Sequence, residues 1–237
     1  NNDIFEYDWI DISNDNEVLS FENNDSGTQI DIGFNFPFYN DNYNQCLVNP
    51  NGWIGFEEDN DEWNNNSVFD VESPRSAIFG FWDDLNPQNS GNDVGEGFVR
   101  YHSNNERLVV WFDNVVHWTS LERVYDFQMV LYPSGKIDMN YRQMQGETAS
   151  GTIGIIDSDG SYGIEVVYND DFIQDELSLI FDTAPSWLSL DLLSGDQTQI
   201  DAGQSAVYSV NVNTENLSVG TYEAFVVINT NISSDIE

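Results

Sequence analysis

The chain has 237 residues, 40% hydrophobic and 14% aromatic, which is enough for a core and excludes a compositionally disordered segment. Asp and Glu number 42 against 6 Lys and Arg, a formal charge of −36. That field repels nucleic-acid phosphate and anionic lipid, so neither is expected as a partner, and it suits a cation-rich medium such as sea water, brine or millimolar calcium.

Cys46 is the only cysteine, so no internal disulfide can form. No apolar run is long enough to span a bilayer, and membrane insertion is not expected. The sequence opens at Asn1 in residues that already read as ordered, which suggests a mature product or a piece of something longer. The expected location is secreted or cell-surface.

Along the chain the periodicity is two rather than 3.6. "IDIGFNFPFYNDNYNQCLVNPNGWIGFEE" predicts three strands, with "NPNG" (49–52) as a turn. "IFGFW" (78–82) predicts a core strand that runs straight into Asp83 and Asp84. "ERLVVWFDNVVHW" is apolar on both faces and therefore predicts a central strand. "VYDFQMVLYPSGKIDMNYRQM" predicts a hairpin. Tyr125, Phe127, Met129 and Leu131 share one face, Pro133–Gly135 make the turn, and Ile137, Met139 and Tyr141 return against outward Asp138, Asn140 and Arg142. "TIGIID", "GIEVVYN" and "LSLIF" are shorter strands. Trp9, Trp53, Trp82, Trp111 and Trp187 are core by pattern.

Many short strands with regular turns predict an all-β fold, an antiparallel, jelly-roll-like β-sandwich over residues 1–182. Composition changes near Thr183. Residues 183–237 predict a partial Ig-like β-sandwich, with Tyr208, Val210 and Val212 alternating on one strand and Tyr222, Ala224, Val226 and Ile228 on another. An independent sandwich takes about a hundred residues. The tail therefore either borrows "ELSLIF" or has further strands beyond Glu237.

The segments "IGFNFPFYNDNYNQCLVNPNGWIGF", "IFGFWDDLNP", "RLVVWFDNV", "FQMVLYPSGKIDMNY" and "TIGIIDSDGSYG" together resemble a β-sandwich module of large secreted bacterial proteins. These include subtilisin-like peptidases and surface proteins of marine Bacteroidota. The module is distantly similar to the nidogen-type extracellular module. "PSWLSL…GTYEAFVVI" resembles the Ig-like modules that often follow it. The resemblance implies architecture rather than activity, because the catalytic domains of such proteins lie elsewhere in the parent chains. Asn40 stands where the pattern usually has Gly, a turn variation that Asn tolerates.

Several residues could carry chemistry. Asp83, Asp84, Asn86, Asn92 and Asp93 offer the hard oxygens that Ca2+ prefers, with Gly91 and Gly95 allowing tight turns. The alternative is that Asp83 caps backbone N–H groups while Asp84 faces water. "DSDG" (157–160) mimics half a calcium loop but lacks the distal Glu, so it reads as a hairpin turn. Trp63, in "DEWNNN", Trp118 and Tyr162 are candidate stacking residues for a polysaccharide, or contacts for a protein surface; Trp63 alternatively folds back over the sandwich end. Glu57, Asp59 and Glu62 match the spacing of a jelly-roll glycoside hydrolase. That geometry requires alternate residues of one buried strand, whereas Glu58, Asn60 and Asp61 in between read as a solvated loop. His117 and Cys46 read as packed structural residues. The reading is a non-catalytic extracellular accessory module beside other domains of a longer chain. The alternatives are that hydrolase and a structural spacer next to a secreted peptidase domain.

Overall fold

Alternating apolar and polar side chains dictate strands, and fifteen form among the residues described by the computed structural model, 7–57, 61–88, 95–182, 188–194 and 205–214. In chain order they are β1 (Glu17–Val18), β2 (Thr28–Phe38), β3 (Asp41–Asn49), β4 (Trp53–Gly55) and β5 (Ala77–Trp82). Then come β6 (Leu85–Asn86), β7 (Phe98–Ser103), β8 (Leu108–His117), β9 (Ser120–Leu131) and β10 (Ile137–Gln145). The last five are β11 (Thr152–Ile156), β12 (Gly163–Tyr168), β13 (Leu177–Phe181), β14 (Leu188–Ser194) and β15 (Val207–Val212).

The larger sheet has the order β1-β7-β8-β9-β10-β13, with β6 also on β8; the smaller has the order β12-β11-β5-β4-β3-β2. All pairings are antiparallel, and the two sheets form a β-sandwich. The chain divides after Thr183 into two compact units. In the second, β14 and β15 pair as a separate two-stranded sheet. The strand predicted around Tyr222–Ile228, and Trp187, lie outside the described residues. Leu177–Phe181 pairs with β10 of the sandwich rather than with the tail.

The predicted hairpin forms in register, with Leu131 opposite Ile137, Met129 opposite Met139 and Phe127 opposite Tyr141. All seven of its inward residues are buried in the main core. Phe127 stacks on Phe112 at 4.6 Å between ring centroids, and burying such a ring contributes about 1.5–3 kcal/mol. Tyr141 carries a hydrogen bond across the sandwich, its hydroxyl donating to the Gly80 carbonyl at 2.6 Å. A Cβ on Gly80 would lie 2.7 Å from Met129 Sδ, so glycine permits this close approach of the sheets.

The outer face of the larger sheet differs from expectation. Asp138 and Asn140, read as outward, are buried. Residues 7–12 lie across this face: the Ile10 amide donates to Gln128 Oε1 (3.1 Å), and Gln128 Nε2 donates back to the Ile10 carbonyl (3.2 Å). Trp9, read as core, is half-buried edge-on to Trp111, with the Arg142 guanidinium 4.4 Å from its ring. The left-handed backbone expected at Asn40 falls one residue earlier, on Tyr39 (φ 52).

Candidate functional site

The stretch after β5 is built on the Asn49–Gly52 turn. Gly52 has φ 88, and a Cβ there would come within 1.9 Å of the Phe81 carbonyl oxygen, so only glycine lets the turn lie against β5. Its carbonyl accepts from Gly80 and Phe81, and the Asn51 carbonyl accepts from the Asp83 amide. The Asn51 side chain is fully buried. Its Oδ1 accepts from Leu85 N–H (2.9 Å), and its Nδ2 donates to the Asn24 carbonyl (3.1 Å). Asn49, also buried, donates to the Asp25 carbonyl. What reads in sequence as a turn is thus a buried polar knot tying residues 24–25 to residues 83–85.

Asp83 is buried at this knot. Ser150 Oγ donates to its Oδ2 (2.6 Å), and the Asp84 amide donates to its Oδ1 (3.0 Å). His117 Nε2 stands 3.5 Å from Oδ1. Thr119 N–H donates to His117 Nδ1 at 3.0 Å, which leaves the Nε2 side of the ring facing the carboxylate. Donors from the protein itself therefore compensate the burial of Asp83.

Asp84, which one reading turned to water and the other to a cation, is half-buried, and its carboxylate accepts no hydrogen bond from described residues. Burial pushes its carboxyl up to about 6; Asp25 and Asp83 add to the rise, and His117 offsets part of it. Burial also raises Asp25, with Asn51 pulling the other way. The Asp84 carbonyl accepts from the Trp118 amide (2.8 Å), so this knot also holds the tip of the β8–β9 hairpin. Asn86 is buried at the end of β6, opposite Val116 on β8. Asn92 and Asp93 lie outside the described residues. Among the described residues no three His, Cys, Asp or Glu side chains are grouped to hold a metal ion.

The three candidate aromatics are 46% (Trp63), 40% (Trp118) and 67% (Tyr162) exposed, and they stand on three different loops. Trp63 lies in the long β4–β5 loop. The carbonyl just before it, that of Glu62, accepts both the Trp53 (3.3 Å) and Trp82 (3.1 Å) indole N–H groups. Those indoles belong to a buried cluster with Val68, Ala77, Phe79 and Ile156. The loop is fastened again where Asn65 Nδ2 donates to Thr152 Oγ1 and Asn169 Oδ1. Trp118 occupies the β8–β9 tip of the other sheet. Tyr162 sits in the β11–β12 turn, beyond Ile156. Thr152, at the other end of β11, is where Trp82 pairs, so Ile156, which precedes the turn of Tyr162, is about 13 Å along the strand from that point.

The remaining candidates are structural in their contacts. Glu57 and Glu62 follow β4 in the loop: Glu57 Oε1 accepts from Ser76 Oγ, and Glu62 Oε1 accepts from the Asn64 amide. Asp59 lies outside the described residues. "DSDG" closes a hairpin turn in which Asp157 and Asp159 accept the Tyr162 and Ser161 amides. Cys46 is buried, and its thiol is pushed up by that burial.

Over residues 5–176 the chain matches the family described as NIDO related, and it belongs to that family. The match spans the sandwich from before β1 to the residue preceding β13. Searches among curated proteins and among solved structures found no match to this chain.

Proposed function

We propose that this NIDO-related domain is a non-catalytic, extracellular accessory module of a longer secreted or surface-attached bacterial protein, and that it holds a neutral polysaccharide by stacking a sugar ring on Trp63. One observation carries the reading. Trp63 is half-exposed, yet the carbonyl before it is clamped by two buried indole N–H groups, so an aromatic face is presented on a rigid mount. Asp61, Asn64 and Asn66, its neighbours in the sequence, carry groups able to bond hydroxyls. The −36 charge disfavours anionic polymers and leaves neutral ones.

The test is affinity electrophoresis through gels containing neutral polysaccharides. Retardation of the wild type by at least one polymer, relieved in Trp63→Ala, is expected. Equal retardation of both proteins overturns the assignment.

Calcium belongs to the same proposal at the Asp84 corner. The Asp84 carboxylate is half-buried with no hydrogen-bond donor among the described residues, and its neighbours Asp25 and Asp83 disfavour its ionised form. A divalent cation using carboxylate, amide and carbonyl oxygens would relieve that repulsion.

A further inference from the structure

Among the described residues the larger sheet ends in β1 and β13, and the smaller in β2 and β12. An edge strand turns the N–H and C=O groups of alternate residues away from its one neighbour, and proteins blunt such rows with charge, proline, irregular pairing or brevity. β1, β2 and β12 carry such devices. β1 is two residues long and includes Glu17. β2 includes Asp31 and Pro37, and its pairing with β3 is irregular between Asp31 and Phe36, where Gly33 has φ 88. β12 includes Glu165 and pairs irregularly with β11. β13 has none of them. Leu177–Phe181 runs in unbroken register with β10 and holds no charge, proline or glycine, in a chain of which 20% is charged.

The side of the sandwich on which β13 lies is also the open one. At the opposite side β2 meets β7, where Ser103 Oγ donates to the Ile32 carbonyl. At the β13 side, Leu177, Leu179 and Phe181, together with Ile164 and Val166 of β12, pack on the main core yet stay only partly buried. The edge is ordered before any partner arrives: Ser178 Oγ donates to Asn140 Oδ1, and the Met144 amide donates to Asp175 Oδ1 (2.8 Å) just ahead of the strand.

Charge selects the occupant. Asp175 and Glu176 precede β13 and Asp182 follows it. A second copy of the chain would bring the same carboxylates and a charge of −36 against its own kind. A basic segment would be drawn in, with Lys or Arg at both ends to meet the flanking acids and apolar residues at every second position to extend the face of Leu177, Leu179 and Phe181. We propose that β13 is a docking edge, to which an extended basic segment of a partner protein adds as a further strand of the larger sheet. Sugar binding at Trp63 neither requires nor excludes it.

The test is amide hydrogen exchange of the full chain, followed by NMR at low ionic strength, with the synthetic peptide Lys-Lys-Val-Thr-Val-Thr-Val-Lys-Lys as probe. Two further peptides separate the causes: one with Glu in place of every Lys, and one with Pro in place of the central Val, which cannot pair along a strand. The lysine peptide should bind with a Kd of about 1 mM or tighter. At saturation it should slow exchange within residues 177–181 about tenfold and leave β2 unchanged, and the other two peptides should do neither. Ile180→Lys and Val18→Lys add the same charge at side chains of nearly equal exposure, 43% and 42%, the first on β13 and the second on β1. Ile180→Lys should weaken binding about tenfold and Val18→Lys less than twofold, with melting temperatures verifying that both fold. The proposal is overturned if exchange at 177–181 is unchanged by the lysine peptide, if protection falls on another edge, or if the glutamate or proline peptide protects equally. It is also overturned if the two lysine variants bind alike, or if protection at 177–181 rises with protein concentration alone, which would make β13 a contact between copies.

Discussion

Trp63 and Trp118 are nearly equally exposed, but they stand on opposite kinds of support. Trp63 follows a carbonyl held by two indole N–H groups over an apolar cluster. Trp118 hangs by its amide from the Asp84 carbonyl, above two buried or half-buried carboxylates and an imidazole. Exposure alone does not separate a binding residue from a hairpin tip. The support does, because a ligand gains affinity from a surface that is already ordered. The indole groups that hold the Trp63 mount do not ionise, whereas the Trp118 mount borders Asp83, Asp84 and His117.

Perturbing the acidic support should change the second region and leave the first alone. The largest effect is expected from calcium. At about a hundred times its dissociation constant it should stabilise the fold by roughly 2.7 kcal/mol, a rise in melting temperature on the order of 5–10 °C. Magnesium and sodium at matched ionic strength should give less; equal shifts from all three salts would mean simple screening of the surface charge and remove calcium from the account.

Ser150→Ala comes next. It strips Asp83 Oδ2 of its hydroxyl donor while the carboxylate stays buried, and should cost about 1–3 kcal/mol in urea unfolding. Fluorescence of Trp63 should be unaltered in the folded variant; a stability within error of wild type would show that Asp83 does not depend on Ser150.

Asp84→Asn should have the smallest effect, in the stabilising direction. The folded-state value near 6 lies above the ordinary 3.8, so the ionised carboxylate opposes folding above pH 6, and this penalty fades as pH falls towards 3.8. The variant should gain about 1 kcal/mol at pH 8, a figure reduced for partial exposure, and nothing near pH 3.5. A gain that is the same at both pH values would contradict the titration of Asp84.

The sandwich itself was legible. In "FQMVLYPSGKIDMNY" the strand alternation and the turn residues agree, and both strands form in register. The apolar-on-both-faces rule placed β8 at the interior of its sheet, with β7 and β9 on either side. What escaped is non-local. Asn49 and Asn51 have the composition of a solvated turn, and nothing nearby in sequence reports that Asn24 and Asp25 will cover them. Asp138 and Asn140 alternate as outward residues should, yet they are buried on a face that a segment more than a hundred residues earlier crosses at Gln128. Asp83 was rightly suspect as a carboxylate beside a core strand; its partners, Ser150 and His117, are assembled only by the fold. The polar neighbours of Trp63 left exposure and folding back over the sandwich end both open; the fold exposes it, and its clamp depends on two tryptophans from β4 and β5 meeting one carbonyl.

The central claim is that Trp63 is the polysaccharide contact and Trp118 is not. The most direct measurement is calorimetric titration of the retained neutral polysaccharide into wild type, Trp63→Ala and Trp118→Ala at pH 8. Trp63→Ala should bind about tenfold more weakly, and Trp118→Ala within about twofold of wild type. Unchanged affinity in Trp63→Ala, or its loss in Trp118→Ala alone, would contradict the account.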